Sequence, residues 1–189
     1  MKIYWRKFDD EYVPKFVEKR HNKNMADDVD VGSFITKTTT LYERIVRLTK
    51  VCRVVKGGRK YKYLALVVVG NMCGRIGFGI AKANEAQDAV IKSSRCAQSH
   101  MLNVPLGKNK RLIYNVDGKH NSTKVLMWNS RDGVGIKASS AIRSILDGLG
   151  IKNASAKIIG SRNPHNVIRA TFNALEKLCI RFRLWKYHC

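Results

Sequence analysis

Six basic residues, Lys50, Arg53, Lys56, Arg59, Lys60 and Lys62, fall within thirteen positions around a Gly57-Gly58 pair, with no acid among them. A turn without Cβ atoms lets backbone come close to a phosphate. Flexible cations around it suit the RNA backbone and its 2′-hydroxyls more than base edges. The same two glycines also fit a tight turn that needs positive φ, with the charges left as a solvated face. A second glycine-rich stretch, Gly133-Val134-Gly135-Ile136-Lys137-Ala138-Ser139-Ser140-Ala141, runs into serines at a helix start. Free backbone N–H groups there can cradle phosphate. That phosphate belongs to a nucleic acid or, given a metal-binding carboxylate and a nucleotide pocket, to a phosphotransferase substrate. Asp132 and Asp147 have no evident partner for such a metal, which leaves RNA phosphate at Lys137 as the better-supplied chemistry.

Other motifs carry less. Gly74-Arg75-Ile76-Gly77 has the GxxG form by which KH domains clamp nucleic acid, and Arg75 to Ile80 half-matches an RNA-recognition-motif strand. A KH loop joins two helices, however, and this one opens a strand. Glycines relieving a twisted strand account for it, with Arg75 and Lys82 kept as candidate phosphate contacts. The histidines at 21, 100, 120, 165 and 188 form no ligand or nucleophile pattern. Cysteines at 52, 73, 96, 179 and 189 include no CxxC pair. They are expected to be small buried hydrophobes or free thiols in a reducing compartment, with no zinc site and no disulfide. No catalysis and no cofactor are expected. Trp5, Trp128 and Trp185 suit packing in a core or on a partner surface, and stacking on bases is the alternative.

Charge states the partner. The 189 residues carry 36 Lys and Arg against 14 Asp and Glu, a formal net charge of +22. Residues 1–40 hold eight of those basic and seven of those acidic residues, so nearly all of the surplus lies beyond position 40. A polyanion is implied, bound by a folded surface, because the lysines are threaded through segments with hydrophobic patterning. The longest apolar run, Leu64 to Val69, is strand-sized and far short of the roughly 20 residues that span a bilayer, so no membrane partner is expected. Met1 to Glu11 lacks the apolar core of a secretory signal and carries three acids, against a transit peptide. The chain is expected to work where it is made, in cytosol or in an organelle that encodes it.

The elements that must position these residues read as α+β, in two layers, twice. Residues 1–40 form a polar extension, expected to order on a partner surface. Residues 41–104 form a first domain: Leu41 to Val55 and Lys60 to Gly70 make a hairpin about the turn Lys56-Gly57-Gly58-Arg59, with charge at its tip. Arg75 to Ala83 is a third strand. Asn84 and Gln87 then suggest a capping box for a helix with Ala86, Ala89, Val90, Ala97 and Met101 on one face. Residues 105–110 are a linker. Residues 111–180 form a second domain, with strands Leu112 to Val116 and Thr123 to Trp128 around a turn at Asp117 to Asn121. A helix follows, capped by Ser139 or Ser140, striped by Ile142, Ile145, Leu146 and Leu149 and stopped at Gly150. Ala154 to Ile159 is a strand, and Asn163 and Pro164 open a last helix with Val167, Ile168, Thr171, Leu175 and Leu178 on one side. Residues 181–189 are a basic aromatic tail.

Four strings, in this order, are similar to successive signatures of one family. They are Val54-Val55-Lys56-Gly57-Gly58-Arg59, Ala65-Leu66-Val67-Val68-Val69-Gly70, Gly74-Arg75-Ile76-Gly77-Phe78-Gly79 and Gly160-Ser161-Arg162-Asn163-Pro164-His165-Asn166-Val167-Ile168-Arg169-Ala170-Thr171. The chain resembles ribosomal protein five of the small subunit, in its bacterial or organellar form. The resemblance implies a first domain like double-stranded RNA-binding domains. The second is an α/β sandwich of the kind named after this family, with a left-handed β-α-β crossover, against the usual rule. It further implies a structural role in the ribosome on small-subunit ribosomal RNA, with parts in subunit assembly and decoding accuracy. Implied neighbours are mRNA where it enters the subunit and small-subunit proteins four and eight; a free homo-oligomer is not expected. Lys50, Cys52, Arg53, Lys56, Gly57 and Gly58 match the family's loop beside the spectinomycin site. Cys52 stands where the bacterial family commonly has Ser, and Ser139-Ser140 where it usually has two glycines. Few prolines, abundant Lys, Asn and Ile and the aromatic ending lean toward a mitochondrial ribosome over a bacterial one. A free-standing RNA-binding regulator is the rival class.

Overall fold

The structure, a computed structural model, describes residues 41–187; the expectations for residues 1–40 and for Cys189 lie outside that range. The first sheet is built from β1 (Tyr42–Val55), β2 (Gly58–Gly70), β3 (Arg75–Ala83) and the short β4 (Leu102–Asn103), antiparallel and in that order. α1 (Ala86–Ser99) lies across β2 and β3. The second sheet has the order β5 (Val116–His120), β6 (Thr123–Asn129), β8 (Ala154–Gly160), β7 (Ile136–Lys137). Its parallel pair, β7 with β8, is joined through α2 (Ser140–Leu149), a β-α-β crossover. α3 (Pro164–Tyr187) packs along β5 and β6.

The apolar run of β2 is buried on both faces because helices cover both. Ala65, Val67 and Val69 meet α1, while Leu66 and Val68 join a larger core with α2 and α3. α2 packs against both the first sheet and α3. Its stripe of Ile142, Ile145, Leu146 and Leu149 is wholly buried, so truncating any one to Ala would cost about 2–5 kcal/mol. Its C-terminal carbonyls, which a helix leaves without internal partners, are met by the β2–β3 turn: Met72 N–H donates to Gly148 O at 2.9 Å and Gly74 N–H to Leu149 O at 3.2 Å. Gly150 ends the helix with φ +82°, and Ile151 N–H returns to Leu146 O at 3.0 Å.

Several sequence expectations need correction. The second domain's first strand spans 116–120, not 112–116, and its turn is shorter. Gly118, read as part of a turn, sits mid-strand because α3 backbone crosses it; a Cβ there would lie 2.1 Å from Ala170 O. α1 is capped at Glu85 with no side-chain bond, so Asn84 and Gln87 form no capping box. Ser139 is the N-cap of α2 but makes no side-chain cap bond. Asn163 does act at the start of α3, where its Oδ1 accepts from His165 N–H at 3.3 Å. Residues 181–187, expected as tail, continue α3. Cys179 is buried, but Cys52, Cys73 and Cys96 are exposed; all four are free thiols.

Candidate nucleic-acid interface

β1 and β2 pair without interruption from Arg47↔Leu66 to Val55↔Gly58, after one bulge at Val46. β3 stops at Ala83, opposite Tyr63. Among the described residues, 51–62 therefore have no third strand beside them and form a two-stranded arm that overhangs the sheet by about 17 Å, at about 3.4 Å per residue. Every residue from Lys50 to Lys62 except Val55 is exposed.

The register sorts the arm's side chains onto two faces, because residues opposite each other in an antiparallel pair share a face. Lys50, Cys52, Val54, Arg59 and Tyr61 lie on one face. Arg53, Lys60 and Lys62 lie on the other, extended at the arm's base by Lys82, which pairs with Leu64. On the first face Lys50 Nζ sits 4.2 Å from the centre of the Tyr61 ring, a cation–π contact that orders an exposed lysine. Arg59 and Lys56 make no hydrogen bond or ion pair with any described residue, so their charges face outward.

The two turn glycines are not equivalent. Gly58 has φ +137°, a conformation that side chains oppose; Gly57 is outside the positive-φ region and a Cβ there would meet nothing within 4 Å. Gly57 is thus required neither by backbone strain nor by packing among the described residues. Gly58→Ala is expected to destabilise the fold by about 1 kcal/mol or more, and Gly57→Ala to leave it within about 0.5 kcal/mol. Urea unfolding of the two variants checks this.

The other predicted residues lie apart. Arg75 opens β3 at the end of the sheet remote from the arm, with its N–H bonded to Asn71 Oδ1 at 2.9 Å. Lys137 is exposed on β7 in the second sheet. In the 133–141 loop, Gly133 and Gly135 have φ +81° and +75°, but the Gly135 N–H already donates to Asn153 Oδ1 at 3.1 Å. The nearby carboxylates are engaged as well: Asp132 pairs with Arg111 and Asn153, and Asp147 with Arg44 at 3.3 Å.

Sequence reasoning did not single out a cationic flank where Arg47 of β1 and Arg169 of α3 act electrostatically on His165. There burial, then Arg47 and Arg169, hold the His165 imidazole below its usual pKa, and burial with Arg169 does the same to His120. Only the fold brings Arg47 near position 165, so no local signal announced it. Because the folded-state pKa of His165 lies below the unfolded value of 6.5, its stabilising contribution is present above pH 6.5. It is lost as pH falls through the folded value. Urea unfolding at pH 7.5 and 5.5 should show a smaller pH difference for His165→Gln than for the wild type. Glu176, whose pKa burial raises, pulls the other way in both chains and cancels in the comparison.

With the geometry in hand, comparison with known proteins identifies both halves. Residues 41–105 match the family model of ribosomal protein S5, N-terminal domain, and residues 118–187 that of ribosomal protein S5, C-terminal domain. Small ribosomal subunit protein uS5 of Bartonella bacilliformis is 42% identical over 135 residues, covering 71% of each chain. The protein of that name from Dinoroseobacter shibae is 38% identical over 160 residues, covering 85% of this chain and 81% of its own. That from Brucella suis is 42% identical over 134 residues, covering 71% and 72%. These relatives are bacterial, so the lean toward a mitochondrial ribosome finds no support in them. Matched in both domains and over most of the relatives' length, the chain belongs to the ribosomal protein S5 family.

Proposed function

We propose that the arm of residues 50–62 lies against small-subunit ribosomal RNA and carries the chain's main contact with it. Membership of the family makes the chain a structural constituent of the small ribosomal subunit and not an enzyme. The arm reading rests on one observation above the rest: a ribbon with six cations and no acid overhangs the sheet, and its tip holds Gly57, for which the described fold has no need. Close approach of a phosphate to the backbone supplies that need.

In this reading Lys50, Arg53, Lys56, Arg59, Lys60 and Lys62 neutralise phosphates, Gly57 and Gly58 admit the backbone, and Cys52 lies between cations on one face. Lys82 extends the other face; Arg75 and Lys137 touch separate RNA segments. Three antiparallel strands backed by one helix suit the double-stranded-RNA-binding type of fold that the family resemblance implied. From that resemblance we also infer neighbours in mRNA, where it enters the subunit, and in small-subunit proteins four and eight, and a share in decoding accuracy.

Sedimentation of a lysate, followed by a high-salt wash of the small-subunit fractions, tests the assignment. Stoichiometric retention on small subunits is expected. Recovery only in free fractions would overturn it and favour a free-standing RNA-binding regulator.

A further inference from the structure

The second sheet has one face covered by α2 and α3 and one face that no described helix covers, where only the Ser130 hydroxyl, bonded to that of Ser155, and Lys177, paired with Asp117, reach in. On β6, Thr123, Val125 and Met127 point into the core, while Lys124, Leu126 and Trp128 point away from it. The register extends this uncovered face to both neighbouring strands. Lys124 stands between Lys119 and Ile159, Leu126 between Asp117 and Lys157, and Trp128 beside Ser155, whose other neighbour is Lys137. Four lysines thus form a diagonal across the sheet, from Lys119 on one edge strand through Lys124 and Lys157 to Lys137 on the other. At about 4.8 Å between strands and about 6.8 Å between alternate residues, the diagonal runs about 20 Å.

Beside this stripe the face is apolar and open. Trp128 is 39% exposed and Ile159 50% exposed, and a shallow hollow between Asn115, Asp117, Leu126 and Trp128 borders the indole. Asp117, the one acid on this face among the described residues, is already shared between Lys124 and Lys177, each at 3.9 Å. The net charge of the face is positive, and its occupant must be an anion that also offers flat apolar surface.

We infer that this face binds a single-stranded RNA segment, with phosphates along the Lys119–Lys137 diagonal and a base stacked on Trp128. Duplex RNA hides its bases, whereas an unpaired strand presents both phosphate and π-face, the combination by which stacking platforms work. The inference rests on the RNA-binding reading above but uses a different sheet from the arm.

The test uses the full chain with Trp5→Phe and Trp185→Phe, leaving Trp128 as the one tryptophan, and a labelled oligoadenylate of about ten nucleotides. Label anisotropy reports RNA binding anywhere on the protein, and indole emission reports this face. Binding accompanied by quenching of Trp128 is the expected result. In the otherwise native chain, Lys124→Gln with Lys157→Gln should flatten the slope of log affinity against log salt by about 1.4, at about 0.7 per phosphate contact on a single strand. Binding with unquenched Trp128 and an unchanged slope would overturn this proposal and leave the arm reading standing. Absence of any binding would overturn this proposal and leave the arm reading, which concerns folded ribosomal RNA, to its own test. Quenching that needs small-subunit proteins instead of RNA would make the face a protein interface and would also overturn it.

Discussion

Reversing two charges at the arm's tip, Lys56→Glu with Arg59→Glu, is expected to lower the affinity of the isolated chain for small-subunit ribosomal RNA by about a hundredfold or more near 0.15 M salt. A phosphate that is no longer neutralised keeps its counterions, and each reversed charge adds repulsion. The wild-type chain, if it neutralises six to ten phosphates, should itself lose about a thousandfold in affinity between 50 and 200 mM salt, and the variant should show a shallower slope. Folding should be untouched, since both side chains are exposed and neither has a partner among the described residues. Filter binding at several salt concentrations, beside urea unfolding, separates the two effects. An unchanged affinity would remove the tip from the interface, though it would leave the family assignment in place.

The second large effect concerns stability. At Gly70, the end of β2 touches the backbone of α2, and an added Cβ would lie 2.2 Å from Gly148 O and 2.6 Å from Gly148 C. Neither atom is the movable end of a side chain, so either the sheet or the helix must shift and disturb the shared core. Gly70→Ala is expected to cost about 3 kcal/mol, which for a chain of this size lowers Tm by about 10 °C. Gly118→Ala, facing Ala170 O of α3 where that helix crosses β5, should behave alike. Thermal melting beside Gly57→Ala, whose Cβ meets nothing, is the comparison that matters. Equal melting temperatures for Gly70→Ala and Gly57→Ala would contradict this account of how the first sheet and α2 are joined.

Glycines also show what the sequence made legible and what it did not. Gly57 and Gly58 could be read as a turn because strand-like segments flank them and charge surrounds them. β3, the stripe of α2, the stop at Gly150 and the Asn163-Pro164 start of α3 were legible for the same reason: each is decided by residues a few positions apart. Gly118 was misread because turn glycines and close-packing glycines look alike until the crossing helix is known. β4 and β7 are two residues long and exist only through their partners, so no periodicity could announce them.

The candidate site divides in the same way. Its basic residues were visible as a cluster, and the alternation Lys60-Tyr61-Lys62-Tyr63 was visible beside them. Their separation into two faces, and the overhang that makes them an arm, depend on where β3 ends opposite Tyr63, which is a fact of register. Likewise, Trp128 reads from sequence as core or partner surface; only the pairing with Ser155 puts it on the uncovered side of the second sheet.

The central claim, that the arm meets ribosomal RNA, is tested most directly from the arm itself. Cys52 is exposed there. With the other four cysteines replaced, it can carry an iron chelate that generates hydroxyl radicals once the chain has been assembled into small subunits. Strong cleavage of a discrete ribosomal RNA segment from position 52, and cleavage of a different segment from a chelate placed on the remote end of the sheet at Arg75→Cys, is the result this account predicts. Subunits that contain the chain but show no cleavage from position 52 would contradict it.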